Sequence, residues 1–187
     1  MSLSSTPILP KTHAGLFVGE TAVIALLLVA VAYFTRATRR RVLAALAGGL
    51  VLVAVGPFAD RAASSHHLFR FTGGATSWPL LVYGQTGLAF SLVALVAWRI
   101  DRRFGVAGIL ALIAGFMLFL PPRDYAVAVL THWVEFTRGS TSWLADSIGN
   151  GVAVVVPVAV MRVLGGPAKA DSLARVTTSS GTVAEVR

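Results

Sequence analysis

"HWVEFTRGSTSW", residues 132–143, restates a phrase the chain has already used: "HLFRFTGGATSW", residues 67–78. Aligning 67–84 with 132–149 at an offset of 65 gives eight identities in eighteen positions, namely His, Phe, Thr, Gly, Thr, Ser, Trp and Gly. A fixed internal offset is the mark of a duplicated structural unit. The segments on either side agree with it, since "GPFAD" before the first copy echoes "LPPRD" before the second with a one-residue slip. Each copy lies between two long apolar runs, so the unit is a pair of helices with the polar phrase joining them.

Working outward, apolar runs occupy 15–34, 42–59, 79–98, 104–122 and 144–164, and none holds Lys or Arg before Arg162. Each approaches the ~20 residues that cross a bilayer as a helix. They are continuous rather than alternating, which excludes a barrel. The composition agrees: 56% of residues are hydrophobic and only 13% charged, with a mean hydropathy of +0.76. The expected fold is an all-α integral membrane protein with five transmembrane helices, one lone helix followed by two tandem two-helix repeats at about 41–100 and 105–164. Residues 1–164 form a single transmembrane domain, and 165–187, polar and without an apolar stripe, form a flexible cytoplasmic tail. Because a two-helix unit returns to its starting side, both copies insert in the same direction, related by an axis along the membrane normal.

The formal charge of +8 follows topology rather than a nucleic-acid partner: eleven of the sixteen basic residues fall in "TRATRRR", "RIDRR", Arg162 and the tail. The positive-inside rule makes that side cytoplasmic, with the N-terminus and the loops 59–78 and 122–143 outside an inner or plasma membrane. The first apolar run is read as a retained span, since its basic cluster comes after it instead of preceding it. There is no cysteine, which removes disulfide, thiol-redox and cysteine-metal chemistry.

The axis predicts that equivalent residues face one another: His67 with His132, Gln85 with Asn150, and Arg70 with Glu135, where the charge has changed sign between copies. Ser or Thr before an apolar helix is a common N-cap and Trp an interface anchor, so "TSW" is read as helix re-entry. The other polar side chains gather on the outer side. Glu20 and Asp146 lie inside spans, and Gln85 and Asn150 come seven residues after their Trp, roughly 10 Å deeper at 1.5 Å per residue. Ionisable groups inside a membrane are costly and mark sites by default.

The candidate catalytic residues are His67, His132, Asp124, Glu135 and Asp146; Glu20, Arg70, Gln85 and Asn150 complete a polar pocket. His66, His67, His132 and Asp60 are candidate ligands for a divalent metal. Glu135, three residues beyond His132, joins them if that segment is helical. Haem, retinal and nucleotides are not expected: the histidines sit in loops, no span holds a lysine, and no phosphate-binding glycine pattern occurs. Ala44 with Gly48 and Ala111 with Gly115 suit close helix packing within the chain or between copies.

"RGSTSWLADSIGNGVAVVVP", residues 138–157, loosely resembles a stretch of the membrane-bound metal-dependent hydrolases, with Asp146, Gly151, Val152 and Pro157 matching in order. The histidine that family places before its Asp is Ser142 here, and its His-Arg-Gly-x-Thr-His segment is not reproduced.

Three function classes fit this pattern. The first is a protein that binds or processes a lipid-like amphiphile in an outer polar pocket, with or without a metal. The second is a non-catalytic subunit or assembly factor of a larger membrane complex, or a homo-oligomer. The third is a small transporter or channel, against which stands the want of polar residues towards the cytoplasmic side.

Overall fold

The computed structural model of the protein describes residues 11–72, 80–132, 134–137 and 139–168. It is almost entirely helical: α1 (Lys11–Phe34), α2 (Arg39–Ser65), α3 (Leu80–Thr131) and α4 (Ser140–Gly165), with two short strands, β1 (Phe69–Phe71) and β2 (Val134–Phe136). Three helices, α2, α3 and α4, are long and apolar enough to cross a membrane, and the apolar part of α1, Val18–Phe34, is shorter.

α3 is not one rod. A straight helix of 52 residues would reach ~78 Å, well over twice a hydrocarbon core of ~30 Å. The helical path breaks at Gly105, whose φ of 65° and ψ of −152° belong to a region essentially reserved for glycine. The rings of Phe90 and Phe116 lie 5.9 Å apart, although 26 residues of straight helix would separate them by ~39 Å. The chain therefore folds back at Gly105 into two limbs.

These limbs, α2 and α4 close into a ring of four helical segments. α2 meets the first limb where Gly49 and Gly87 touch; a Cβ on Gly49 would lie 2.2 Å from the Gly87 carbonyl oxygen, which no side chain permits. The two limbs meet at Phe90 and Phe116. The second limb meets α4 through Met117 and Gly151, and α4 returns to α2 through Pro157 and Gly48. α1 stands outside the ring and packs chiefly on α3.

Apolar packing concentrates at one end of the ring. Its core is built from Ala44, Ala45, Ala94, Leu95, Trp98, Val154 and Met161, with Leu28 of α1 and Ala168. Arginines from three elements close over it. Arg41, 1% exposed, donates from Nη1 to the Gly166 carbonyl at 2.5 Å and from Nη2 to that of Pro167 at 2.7 Å. Arg40 donates to the Leu164 carbonyl at 2.8 Å. The guanidinium carbons of Arg41 and Arg102 lie 5.4 and 5.5 Å from the centre of the Trp98 ring, and Arg162 pairs with Asp101 at 2.6 Å. The start of α2, the Gly105 turn and the end of α4 are thus fastened at the same end, cations meeting the carbonyl end of the α4 dipole.

Elsewhere the surface is apolar: Leu26, Phe58, Leu110, Phe119 and Val163 are all at least 60% exposed. Contiguous apolar surface on that scale is foreign to a soluble monomer. The small-residue pairs part company here. Ala44 and Gly48 are buried within the chain, whereas Ala111 is exposed and a Cβ on Gly115 would meet nothing.

The expected outer loops 59–78 and 122–143 are shorter than the sequence suggested. α2 continues through Pro57 to Ser65 and α3 through Pro121 and Pro122 to Thr131. Each helix then gives way to one strand of a two-stranded ribbon, which an all-α reading omits.

Candidate functional site

At the end opposite the arginines, the two copies of the repeated phrase build one object. α2 ends in a left-handed cap: His67, at φ 56°, donates its N–H to the Ser64 carbonyl, and Leu68 donates to that of Ala63. This is the Schellman arrangement, with histidine where glycine usually stands. α3 also ends at a left-handed histidine, His132 at φ 55°, but with the simpler αL bond, its N–H donating to the Ala128 carbonyl. Histidine is among the few side chains that tolerate this region. Each cap turns the chain into a strand, and β1 and β2 pair antiparallel with Phe69 opposite Phe136, Arg70 opposite Glu135 and Phe71 opposite Val134.

The remaining repeated residues lock the pair. The Thr72 hydroxyl donates to the His132 carbonyl at 2.5 Å, and the Thr137 hydroxyl donates to the His67 carbonyl. These two bonds join positions related by the same 65-residue offset, in opposite senses. Arg70 and Glu135, facing each other at the centre, bond through Nη2 at 2.5 Å and Nε at 2.7 Å to one carboxylate oxygen. Both are largely exposed, at 77% and 54%, so the pair orients side chains more than it stabilises the fold. Beneath the ribbon, the ring of Tyr125 stacks on Phe136 at 4.2 Å and meets Trp143 at 5.4 Å.

A shallow cavity of about 290 Å³ opens beside the ribbon, lined by Ser64, His67, Phe69, Arg70, Glu135, Phe136 and Thr137. It presents a cation, an anion and hydroxyls next to two aromatic rings, with both copies contributing to its wall.

Below it lies a layer of polar groups within the helices. Asp60 accepts from the Tyr83 hydroxyl at 2.6 Å, and Asp124 accepts from the Asn150 amide at 3.1 Å and from Arg123 at 3.2 Å. Each aspartate stands near the ribbon end of one helical segment and is held by the segment that comes next in the chain. Asp146 is half-buried, within electrostatic reach of Asp124 and Tyr125. Its Oδ2, the Tyr125 hydroxyl and the Gln85 amide nitrogen are buried without a hydrogen-bond partner among the described residues. Unpaired buried polar atoms are rare and costly.

The candidates therefore separate. His67, Arg70 and Glu135 line the cavity, and His132 joins the ribbon through its main chain. Asp60, Asp124, Asp146, Gln85 and Asn150 belong to the deeper layer. Asn150 bonds Asp124 rather than its sequence equivalent Gln85. His66 is an exposed cap residue, and Glu20 is exposed on α1. Among the described residues, no three His, Asp or Glu side chains gather as a metal-ligand group. His132 and Glu135 do not share a helical face, because the helix ends at Thr131, before either of them. The N-cap reading of "TSW" also fails in the second copy: Gly139 is the cap, without a side-chain bond, and Ser142 is buried inside the helix. Thr76, Ser77 and Trp78 of the first copy, Arg138 and the tail from Lys169 lie outside the described residues.

Sequence reasoning did not single out Tyr83 or Tyr125, and it counted Thr72 and Thr137 among the repeated residues without foreseeing that they would bond the opposite copy. The alternation "FRF" and "VEF" carried the strand signal, but three residues are too few for a period of two to stand out. No family model, curated protein or solved structure matches the chain.

Proposed function

We propose that the protein crosses an inner or plasma membrane five times, as α1 plus two tandem hairpins, and binds an amphiphile at the ribbon end. The hairpins are α2 with the first limb of α3, and the second limb with α4. The ribbon end faces outward and the arginine end faces the cytoplasm, in keeping with the distribution of basic residues. The observation that carries the binding reading is the cavity that sets the Arg70–Glu135 pair beside Phe69 and Phe136. An exposed ion pair exchanges partners at little cost. A headgroup with a phosphate or carboxylate and a hydrogen-bond donor can take the place of each partner for the other, while its apolar chain lies along the helices. Asp124, Asp146 and Asn150 offer a second polar level to a group that reaches deeper. His67 and His132 remain the residues whose rings could act on such a ligand, with a divalent metal or without.

The test is native mass spectrometry of the detergent-purified chain, beside an Arg70→Ala/Glu135→Ala variant, after extraction from its membrane. A retained amphiphile of defined mass, lost in the folded variant, supports the reading. A chain that carries no such molecule and co-purifies with stoichiometric protein partners overturns it in favour of a complex subunit. That second reading draws on α3, where Ala111 is exposed and a Cβ on the half-buried Gly115 would meet nothing among the described residues.

A further inference from the structure

The arginine end is more than the sum of its internal contacts. Among the described residues it gathers eight arginines against one carboxylate, Asp101, and Arg162 already occupies that carboxylate. Arg40, Arg41 and Arg102 are engaged with carbonyls or with Trp98. Arg36, Arg39, Arg99 and Arg103 are left exposed, with no carboxylate partner among the described residues. They come from two places that the Trp98 clamp holds together, the α1–α2 turn and the approach to Gly105. Exposed aromatic rings stand at the same level: Tyr33 is 77%, Phe34 80% and Phe104 60% exposed, and the Arg103 guanidinium lies 5.2 Å from the centre of the Phe104 ring.

We infer that this end is a binding surface for anionic phospholipid headgroups, with phosphates bridging the exposed arginines and acyl chains lying against Tyr33, Phe34 and Phe104. Charge complementarity selects the anion, because guanidinium forks match phosphate oxygens two at a time. The rings choose a lipid over a nucleic acid or an acidic protein: they lie where an apolar helix surface gives way to charge, the level favoured by interfacial aromatics. Cation clusters at that level attract anionic lipid. The inference rests on the membrane reading but not on the ribbon cavity, which is at the other end.

The experiment titrates the purified full-length chain with phosphatidylglycerol and with phosphatidylcholine of equal chain length. It compares the wild type with Arg39→Gln/Arg99→Gln/Arg103→Gln and with the corresponding three lysine substitutions. Each arginine contributes about fivefold near a charged surface, so the glutamine variant is expected to lose roughly a hundredfold in phosphatidylglycerol affinity. The lysine variant, which keeps the charge without the forked geometry, keeps part of the preference, and all three forms are titrated in an Arg70→Ala/Glu135→Ala background so that headgroup binding at the outer cavity does not enter the comparison. Equal affinity for the two lipids in the wild type overturns the inference, as does a glutamine variant that still prefers phosphatidylglycerol. Should the glutamine variant unfold, as judged by circular dichroism, a wild-type preference undiminished at about 0.5 M salt overturns it instead.

Discussion

The two histidines that open the repeated phrase act first through their backbone. At φ near +55° an L-residue is held in a conformation that costs roughly 1–2 kcal/mol and that glycine adopts freely. His67→Gly and His132→Gly are therefore expected to leave thermal stability unchanged or raise it slightly. His67→Val is expected to lower it by ~1–2 kcal/mol, read from denaturation in detergent. If His67→Gly keeps its stability and loses the bound amphiphile, the ring itself takes part in binding; if it keeps both, capping accounts for this histidine. The facing charges give a second residue-scale prediction. Arg70→Glu sets two carboxylates opposite each other and costs ~0.2–1 kcal/mol, as does Glu135→Arg. The double exchange restores the loss, and a cycle showing no coupling would refute the pairing. The pairing itself was legible in the sequence, because two aligned copies differed by a reversed charge at one position. The capping role was not, because nothing in a lone histidine reveals the sign of its φ.

Among the elements, the Gly105 turn and the Gly49–Gly87 crossing decide whether the helices can pack. Gly105→Val is expected to cost at least ~1–3 kcal/mol, because the observed φ and ψ lie where side chains are excluded. Gly49→Leu forces apart two backbones now in contact and is expected to lower the yield of folded, monodisperse protein on size-exclusion chromatography. Normal yield and melting in both variants would mean that the helices pack elsewhere. The apolar runs showed where helices must lie, but their lengths were underestimated where charged and polar residues extend them. Tertiary support carries α2 and α3 past proline and on to the caps, and window hydropathy does not register that support. The ribbon escaped notice for a related reason: its strands, though built of Phe and Val, are only three residues long and are reinforced by two threonine–carbonyl bonds and a central ion pair that no local pattern announces.

For the whole molecule, the absence of cysteine makes sidedness directly measurable. Single substitutions Ser65→Cys and Thr137→Cys are expected to react with a membrane-impermeant thiol reagent applied from outside. Thr38→Cys and Arg103→Cys are expected to react only after the membrane is opened. Labelling of all four from one side would overturn five crossings. Arg70→Cys with Glu135→Cys adds a check of the strand register, since directly opposed residues of an antiparallel pair are near enough for a disulfide. The helical, membrane-compatible character was the most readable level, because crossing a bilayer demands long continuous apolar runs. The deeper polar layer was read only in part: Asp146, Gln85 and Asn150 stood out as polar residues within apolar runs and Asp60 and Asp124 were placed at the surface, but Tyr83 and Tyr125 looked like ordinary aromatics.

The reversed charge at the centre of the ribbon has a consequence for which strands can pair when two copies of the chain meet. Two first strands from separate molecules would meet Arg70 against Arg70, and two second strands Glu135 against Glu135, so like rejects like. A first strand pairs more favourably with a second than with another first, by the same ~0.2–1 kcal/mol. Since both lie on one polypeptide, linked through α3, the nearest acceptable partner is always the chain's own other half. The asymmetry written into an otherwise repeated phrase thus biases each strand towards its counterpart on the same chain.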